Sequence, residues 1–249
     1  MPRFFINDRP QGELYTLTGE NAHHAGRVLR LRPGETLTLC DGAGTDFDCT
    51  VEQAEKDEVV CRVQAVHPSE TEPRQDMTLF MALPKGDKME FVIQKSVELG
   101  VRKIVPFLSK NCVSRPDKTD KKVERWRKIA VEAAKHQAMH TAKQCGRGYL
   151  PVVTAVECAE KAFAMASDSG TALFFYEHET RGLRETLEGQ GVSDTVSLVV
   201  GPEGGFAPEE VQAAQNAGLS SVSLGTRILR CETAPVAALA AVLYAGGNM

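Results

Sequence analysis

The sequence predicts an α/β protein in two parts: a small β-rich, barrel-like module over residues 1 to about 70, then a parallel sheet covered by helices over 74 to 249. Three observations carry this expectation. Before residue 70, short runs alternate apolar and polar side chains with period two. From about residue 74, strand-like apolar runs alternate with segments of helical period, the pattern of a parallel sheet covered on both faces. Between them lies His67-Pro68-Ser69-Glu70-Thr71-Glu72-Pro73, whose two prolines read as a linker.

Taken in order, Gly19 to Leu31 reads as a short helix stopped by Pro33-Gly34. Thr36 to Cys40 alternates as a strand, and Asp41-Gly42-Ala43-Gly44 supplies a turn. Phe47 to Val51 and Val59 to Val66 continue the sheet around a charged tip, Glu55-Lys56-Asp57-Glu58. In the second part Met77 to Leu83 is a strand, and Asp87 to Leu99 a helix closed by Gly100. Ile104 to Leu108 is a strand, and Lys121 to about Lys143 a long helix in which Trp126 reads as core. Ala172 to Tyr176 and Ser197 to Val200 are strands, and Pro208-Glu209-Glu210 opens a helix. The segment from about Pro235 to Ala245 is apolar all round, so it is buried in a core or a subunit interface.

Two loops near the C-terminus carry the chemistry. Ser197-Leu198-Val199-Val200 runs into Gly201-Pro202-Glu203-Gly204-Gly205-Phe206, and Val222-Ser223-Leu224-Gly225 runs into Thr226-Arg227-Ile228-Leu229-Arg230-Cys231-Glu232-Thr233. Glycine lets backbone groups approach a ligand closely, and an open α/β sheet binds ligands beyond the carboxyl ends of its strands. The first loop is neither G-x-G-x-x-G nor G-x-x-x-x-G-K-[ST], so neither phosphate-binding signature is present. The carboxylates at Glu209 and Glu210 suit a helix N-terminus but repel an anion, so the ligand there is neutral or cationic. The competing reading is a plain strand-to-helix turn.

Bulk properties narrow the classes. The 249 residues include seven scattered cysteines without a C-x-x-C pair, which fits reduced thiols in the cytoplasm rather than a disulfide framework. No apolar run approaches a bilayer span, so no membrane is expected. Net charge is −4, yet thirteen of the 29 Lys and Arg fall between Arg102 and Arg147, against four acidic residues. With His23, His24, Arg27, Arg30 and Arg32 they form local anion-facing surfaces that suit RNA, against the alternative of solvated helix faces. His136 and His140 stand four apart on the long helix but lack a third ligand, so no metal is expected.

The two loops, V-G-P-E-G-G-F and L-G-x-R-I-L-R-x-E-T-A, resemble the cofactor region of SPOUT-class RNA methyltransferases. More narrowly the chain is similar to the bacterial 16S rRNA uridine-N3 methyltransferases, the RsmE family. His24 to Arg30 matches that family's H-x-x-R-V-L-R element, and Lys88-Met89-Glu90-Phe91 with Ile93 to Val101 matches its central helix. The chain departs from the family around His136 to Lys143, where it runs about two helical turns longer.

The resemblance implies a PUA-like β-barrel followed by a SPOUT sheet with a C-terminal trefoil knot, working as a homodimer. It implies S-adenosylmethionine as cofactor and N3 of a decoding-centre uridine in 16S rRNA as target, on the assembled small ribosomal subunit. Tyr176, Val200, Gly201, Pro202, Gly204, Leu224, Gly225, Leu229 and Thr233 are then the cofactor-binding positions. His24, Arg27, Arg30, Arg32 and Lys88 are the RNA contacts. Arg230 is expected to stabilise the uracil anion, since a guanidinium is always charged and reaches two acceptors. Glu203 or Glu232 is expected to orient it, or to accept the N3 proton if desolvation raises the carboxyl pKa. Competing readings are an Arg230–Glu232 pair across the loop, Thr233 as a mere helix N-cap, and Lys95–Glu98 as a surface pair. At the level of function the alternatives are a non-catalytic RNA-binding or ribosome-assembly factor, and a ribose 2′-O methyltransferase of the same fold.

Overall fold

A computed structural model of the chain describes residues 1–113, 119–135 and 146–249, and divides it into two compact units. The first comprises Met1–Glu72 with Lys135–Leu150, the second Pro73–Ala134 with Pro151–Met249.

The first unit holds strands β1 (Arg3–Phe5), β2 (Leu14–Leu17), β3 (Thr36–Cys40), β4 (Thr45–Ala54) and β5 (Val59–Pro68), and helix α1 (Gly19–His23). Its five-stranded sheet runs β1-β3-β4-β5-β2, parallel between β1 and β3 and antiparallel elsewhere. Among the described residues β1 and β2 do not pair, so the sheet is a curled half-barrel. Alternate residues turn inward to one apolar core of Phe4, Ile6, Leu17, Leu37, Leu39, Phe47, Val51 and Val59, with Ala22 and Ala25 from the helical segment closing it. The expected helix from Gly19 to Leu31 is shorter: α1 ends at His23 and a wider π turn continues from His24 to Val28. That turn is closed by Leu29 N–H on the His24 carbonyl at 2.9 Å.

Residues 67–73 are no free linker. Strand β5 runs through Pro68, and Ser69 N–H donates to the Gly44 carbonyl at 2.9 Å. Glu72 takes a bidentate contact from Arg147, Nε–Oε1 2.8 Å and Nη2–Oε2 2.9 Å, and also accepts Gly148 N–H at 2.6 Å. Both side chains are almost wholly buried, at 2% and 5% exposure. The prolines announce a turn; the buried ion pair, invisible to local patterning, anchors it.

The second unit is built from β6 (Asp76–Ala82), α2 (Lys88–Glu98), β7 (Lys103–Leu108), α3 (Thr119–Lys135), β8 (Val152–Val153), β9 (Glu157–Cys158), α4 (Ala159–Ser167), β10 (Thr171–Phe175), α5 (Leu183–Gln190), β11 (Thr195–Val200), α6 (Pro208–Asn216), β12 (Ser220–Val222) and α7 (Thr233–Ala245). Its strands are all parallel, in the order β12-β10-β11-β6-β7-β8, with β9 also on β7. The central strands β6 and β11 are near-continuous apolar runs because helices cover both their faces. Trp126 packs in the core, as read from sequence. Helix α7 lays Pro235, Ala238, Leu239, Val242 and Leu243 inward and packs on α2 and β11, while Tyr244 stays 75% exposed. The expected continuation of α3 toward Lys143, His136 and His140 included, lies outside the described residues.

Candidate active site

Parallel strands in register deliver their carboxyl ends to one edge. Met81 and Phe175 both lie opposite Val200, and Phe175 also lies opposite Val222. The segments leaving β6, β7, β10, β11 and β12 therefore start side by side.

The turn after β11 is fixed on several sides. Phe206 closes it by entering the core against Phe174, Phe163 and Phe107, with centroids 4.3, 6.2 and 6.3 Å away. A Cβ added at Gly201 would meet the Phe206 ring at 3.0–3.4 Å, so only glycine lets the chain pass over that ring unstrained. Asn111, beyond β7, donates its amide to the Gly204 carbonyl at 3.0 Å. Glu210, 4% exposed, accepts Ser109 Oγ–H, Lys110 N–H and Ala207 N–H, each at 3.0 Å, and Glu209 pairs with Lys110 at 2.6 Å. The two carboxylates that open α6 are thus spent on fixing the loops.

The loop after β12 is looser. Gly225 adopts φ 106, a conformation only glycine takes without strain. Among the described residues the backbone N–H groups of Thr226 to Leu229 have no protein partner, and Ile228 is 85% exposed. Tyr176, an expected cofactor-binding position just after β10, donates its N–H to the Val222 carbonyl at 3.1 Å at the start of this loop. Val200 and Pro202 are buried, Leu224 and Leu229 half-buried, Gly204 exposed. Thr233 is the first residue of α7 and makes no side-chain cap; Glu232 holds the N-cap position instead.

Between the two loops stands Lys88, at the first turn of α2. Its Nζ lies 2.9 Å from Glu203 Oε1, 3.3 Å from Glu232 Oε2 and 3.8 Å from Cys231 Sγ. Lys85 N–H donates to the Glu203 carboxylate at 3.1 Å, and Cys231 Sγ–H to Glu232 Oε2 at 3.2 Å. Burial pushes the Glu203 carboxyl up, but the Lys88 ammonium and the backbone amides of Glu203 and Lys85 hold it below its ordinary value. Glu232 is lowered by its own amide, the Cys231 thiol and Lys88. Burial, then the neighbouring carboxylates, push the Cys231 thiol up to about 12.

This geometry corrects two expectations. Glu203 and Glu232 do not orient Arg230, nor does Arg230 pair with Glu232: both carboxylates take Lys88, and Arg230 is exposed with no side-chain partner among the described residues. Nor does desolvation leave either glutamate with a raised pKa: at Glu203 the Lys88 ammonium and two backbone amides together offset it, and at Glu232 its own amide and the Cys231 thiol do so before Lys88. Lys88, expected among the RNA contacts, has its donors turned to this cluster. Its role was hidden because three loops distant in sequence assemble it.

Of the remaining expected RNA residues, Arg30 and Arg32 are exposed and have no side-chain partner among the described residues, and Arg30 holds φ 54. Arg27 meets Asp57 at 3.1 Å. His24 stacks edge-on against Phe4 at 6.1 Å, and burial followed by the neighbouring His23 lowers its pKa. Lys95 and Glu98 form the expected surface pair at 2.9 Å.

Residues 71–243 match the model of an RNA methyltransferase domain, and residues 17–64 that of an RNA methyltransferase PUA domain. Ribosomal RNA small subunit methyltransferase E of Bacillus subtilis is 32% identical over 98% of this chain and 96% of its own length. The chain belongs to the ribosomal RNA small subunit methyltransferase E family. The family member from Mycobacterium bovis is likewise 32% identical, over 96% of this chain and 90% of its own. The solved structure of the family member from Neisseria gonorrhoeae, bound to S-adenosyl methionine, superposes with a TM-score of 0.82 at 32% identity, covering 98% of this chain and 97% of that one. A methyltransferase from Legionella pneumophila, also in complex with the cofactor, gives 0.78 at 31% identity over 98% and 97%.

Proposed function

We propose that this chain methylates N3 of a uridine in 16S rRNA, taking the methyl group from S-adenosylmethionine. The observation that carries the reading is the set of loops starting side by side at the carboxyl edge of the parallel sheet, in a chain alike over 98% of its length to a relative solved with that cofactor.

The residues present fit the cofactor. The amides of Thr226 to Leu229, without a protein partner among the described residues, and the left-handed Gly225 offer neutral backbone to an adenosine. Tyr176, Val200, Gly201, Pro202, Gly204, Leu224, Leu229 and Thr233 are the further positions proposed to hold it. Two ionised carboxylates on a single ammonium leave the cluster with a net negative charge, which suits a cationic sulfonium. When bound, the cofactor supplies an electrophilic methyl group. Arg230, whose side chain has no partner among the described residues, can place its guanidinium against uracil O2 or O4, where negative charge gathers as the N3 proton departs. Glu203 and Glu232, ionised at neutral pH, are weak proton acceptors, so their part is to balance charge.

Arg30 and Arg32, with Arg27 and His24, supply the RNA contact of the first unit, and the reacting base is unstacked to reach the cleft. The further reading is a cytoplasmic enzyme acting on the assembled small subunit. It works as a homodimer through the outer face of α7 around Tyr244, its chain knotted near the C-terminus. Among the described residues no helix is long and apolar enough to cross a membrane, and no three metal-binding side chains cluster.

The test is incubation of purified protein with S-adenosylmethionine and either naked 16S rRNA or small subunits, followed by mass spectrometry of nucleosides. N3-methyluridine, formed on subunits and lost in Arg230→Ala, is expected. A ribose-methylated product, or none with either substrate, sinks the reading.

A further inference from the structure

We propose that Lys88 is a positioning residue, whose ammonium ties the loop after β11 to the loop after β12 through Glu203 and Glu232 and thereby sets the cleft and Arg230. The inference rests on reading that cleft as the cofactor site.

The geometry is specific. A lysine has three N–H donors, and Lys88 has three acceptors within reach: Glu203 Oε1 at 2.9 Å, Glu232 Oε2 at 3.3 Å and Cys231 Sγ at 3.8 Å. The ammonium is thus engaged by this cluster. Glu203 extends the tie to a third segment, through Lys85 N–H at 3.1 Å. Without the ammonium, two carboxylates drawn to one sheet edge would repel and push their loops apart. All three side chains are about one-third exposed, so the tie orients loops and does little for the stability of the core.

The consequence reaches the guanidinium without touching it. Arg230 immediately precedes Cys231 and Glu232, and its carbonyl accepts the N–H groups of Thr233 and Ala234 at 2.9 Å, opening α7. Holding residues 231 and 232 from α2 therefore holds the backbone from which Arg230 projects. Gly225 is held at its N–H and its carbonyl by the Ser223 hydroxyl, both at 3.2 Å, but the backbone N–H groups from Thr226 to Leu229 have no partner among the described residues.

The test compares the unsubstituted protein with Lys88→Met, Lys88→Arg, Glu203→Gln/Glu232→Gln and the combined triple variant. S-adenosylmethionine affinity is measured by calorimetry, and the carboxyl titration of Glu203 and Glu232 by NMR on cofactor-free protein. Lys88→Met should weaken cofactor binding about tenfold and move both carboxyl titrations to higher pH, and Lys88→Arg should recover most of each. Adding Lys88→Met to the double glutamine variant should change affinity less than about twofold, since there is nothing left to tie. Cofactor affinity in Lys88→Met equal to that of the unsubstituted protein overturns the proposal, as does an unmoved carboxyl titration. Loss of RNA affinity alone, with a shallower salt dependence, overturns it in favour of a phosphate contact. If the unsubstituted protein binds no cofactor, the reading of the cleft falls, while the titration still decides whether the tie exists.

Discussion

Phe206 lies 4.3 Å from Phe174, ring centroid to centroid, with the planes tilted by 33°. The last residue of a glycine-bearing loop is thereby a core residue, and the loop inherits the rigidity of the sheet beneath it. Phe206→Ala should cost about 3–5 kcal/mol of stability by urea denaturation. Cofactor affinity should fall with it, because Gly201 rests on the same ring. Full affinity in the variant would mean that the loop holds its shape without the plug.

Glu210 joins two loops and a helix start in one buried carboxylate. Glu210→Ala strands the Ser109 hydroxyl and two amides and should destabilise by about 1–3 kcal/mol. Hydrogen exchange at Lys110 and Ala207 should rise well above the change elsewhere. Uniform acceleration would show a general loss of stability instead.

The cleft carboxylates give a signed pH dependence. Both glutamates sit below their ordinary value of 4.5, so their contribution to stability is complete above that value and is lost as pH falls through their lower native pKa values. Lys88 is raised above 10.5, first by its hydrogen bond to Glu203, so its contribution is present below that value and lost as pH rises through the native pKa. Unfolding followed from pH 6 down to 3 should show a decline that Glu203→Gln flattens. An identical slope in the variant would remove these groups from the acid transition.

The arginines of the first unit should not contribute equally to RNA binding. Arg30→Ala and Arg32→Ala should each reduce the slope of log K against log salt by roughly 0.7–0.9. Arg27→Ala should do less, because Asp57 already offsets its charge at 3.1 Å. Asp57→Asn should tighten binding. Equal effects from all three arginines would imply that Asp57 moves away when RNA arrives.

Much of this was legible in the sequence, for identifiable reasons. Val59 to Val66, Met77 to Leu83 and the stretch before Gly201 read as strands because burial on one or both faces writes a local pattern. The apolar α7 read as a buried helix on the same ground. Short β1 and β2 did not, since three- and four-residue strands owe their existence to distant partners such as Thr38 for Arg3. Helices α4 and α5 went unread, whereas α6, no longer than α4, is announced by Pro208-Glu209-Glu210 at its start. The loops of the cleft were found through their glycines and the family pattern. The pairing inside the site was not: whether Arg230 or Lys88 faces Glu203 depends on strand register, and Lys88 comes from a helix 115 residues away in the chain.

The buried contact between Arg147 and Glu72 carries a consequence for the order of synthesis. Residues 146–150 belong to the first unit although the chain visits the second before reaching them. They donate and accept at Gly42, Gly44 and Glu72, and their arginine is nearly inaccessible to water. A ribosome that has released the first 72 residues has not released a finished domain. Until residues 147 and 148 emerge, the Glu72 carboxylate and the Gly44 N–H wait without their partners, and the half-barrel is held by its own strands and α1. The N-terminal module begins the sequence, yet it is complete only after the first segment of the other unit has been made.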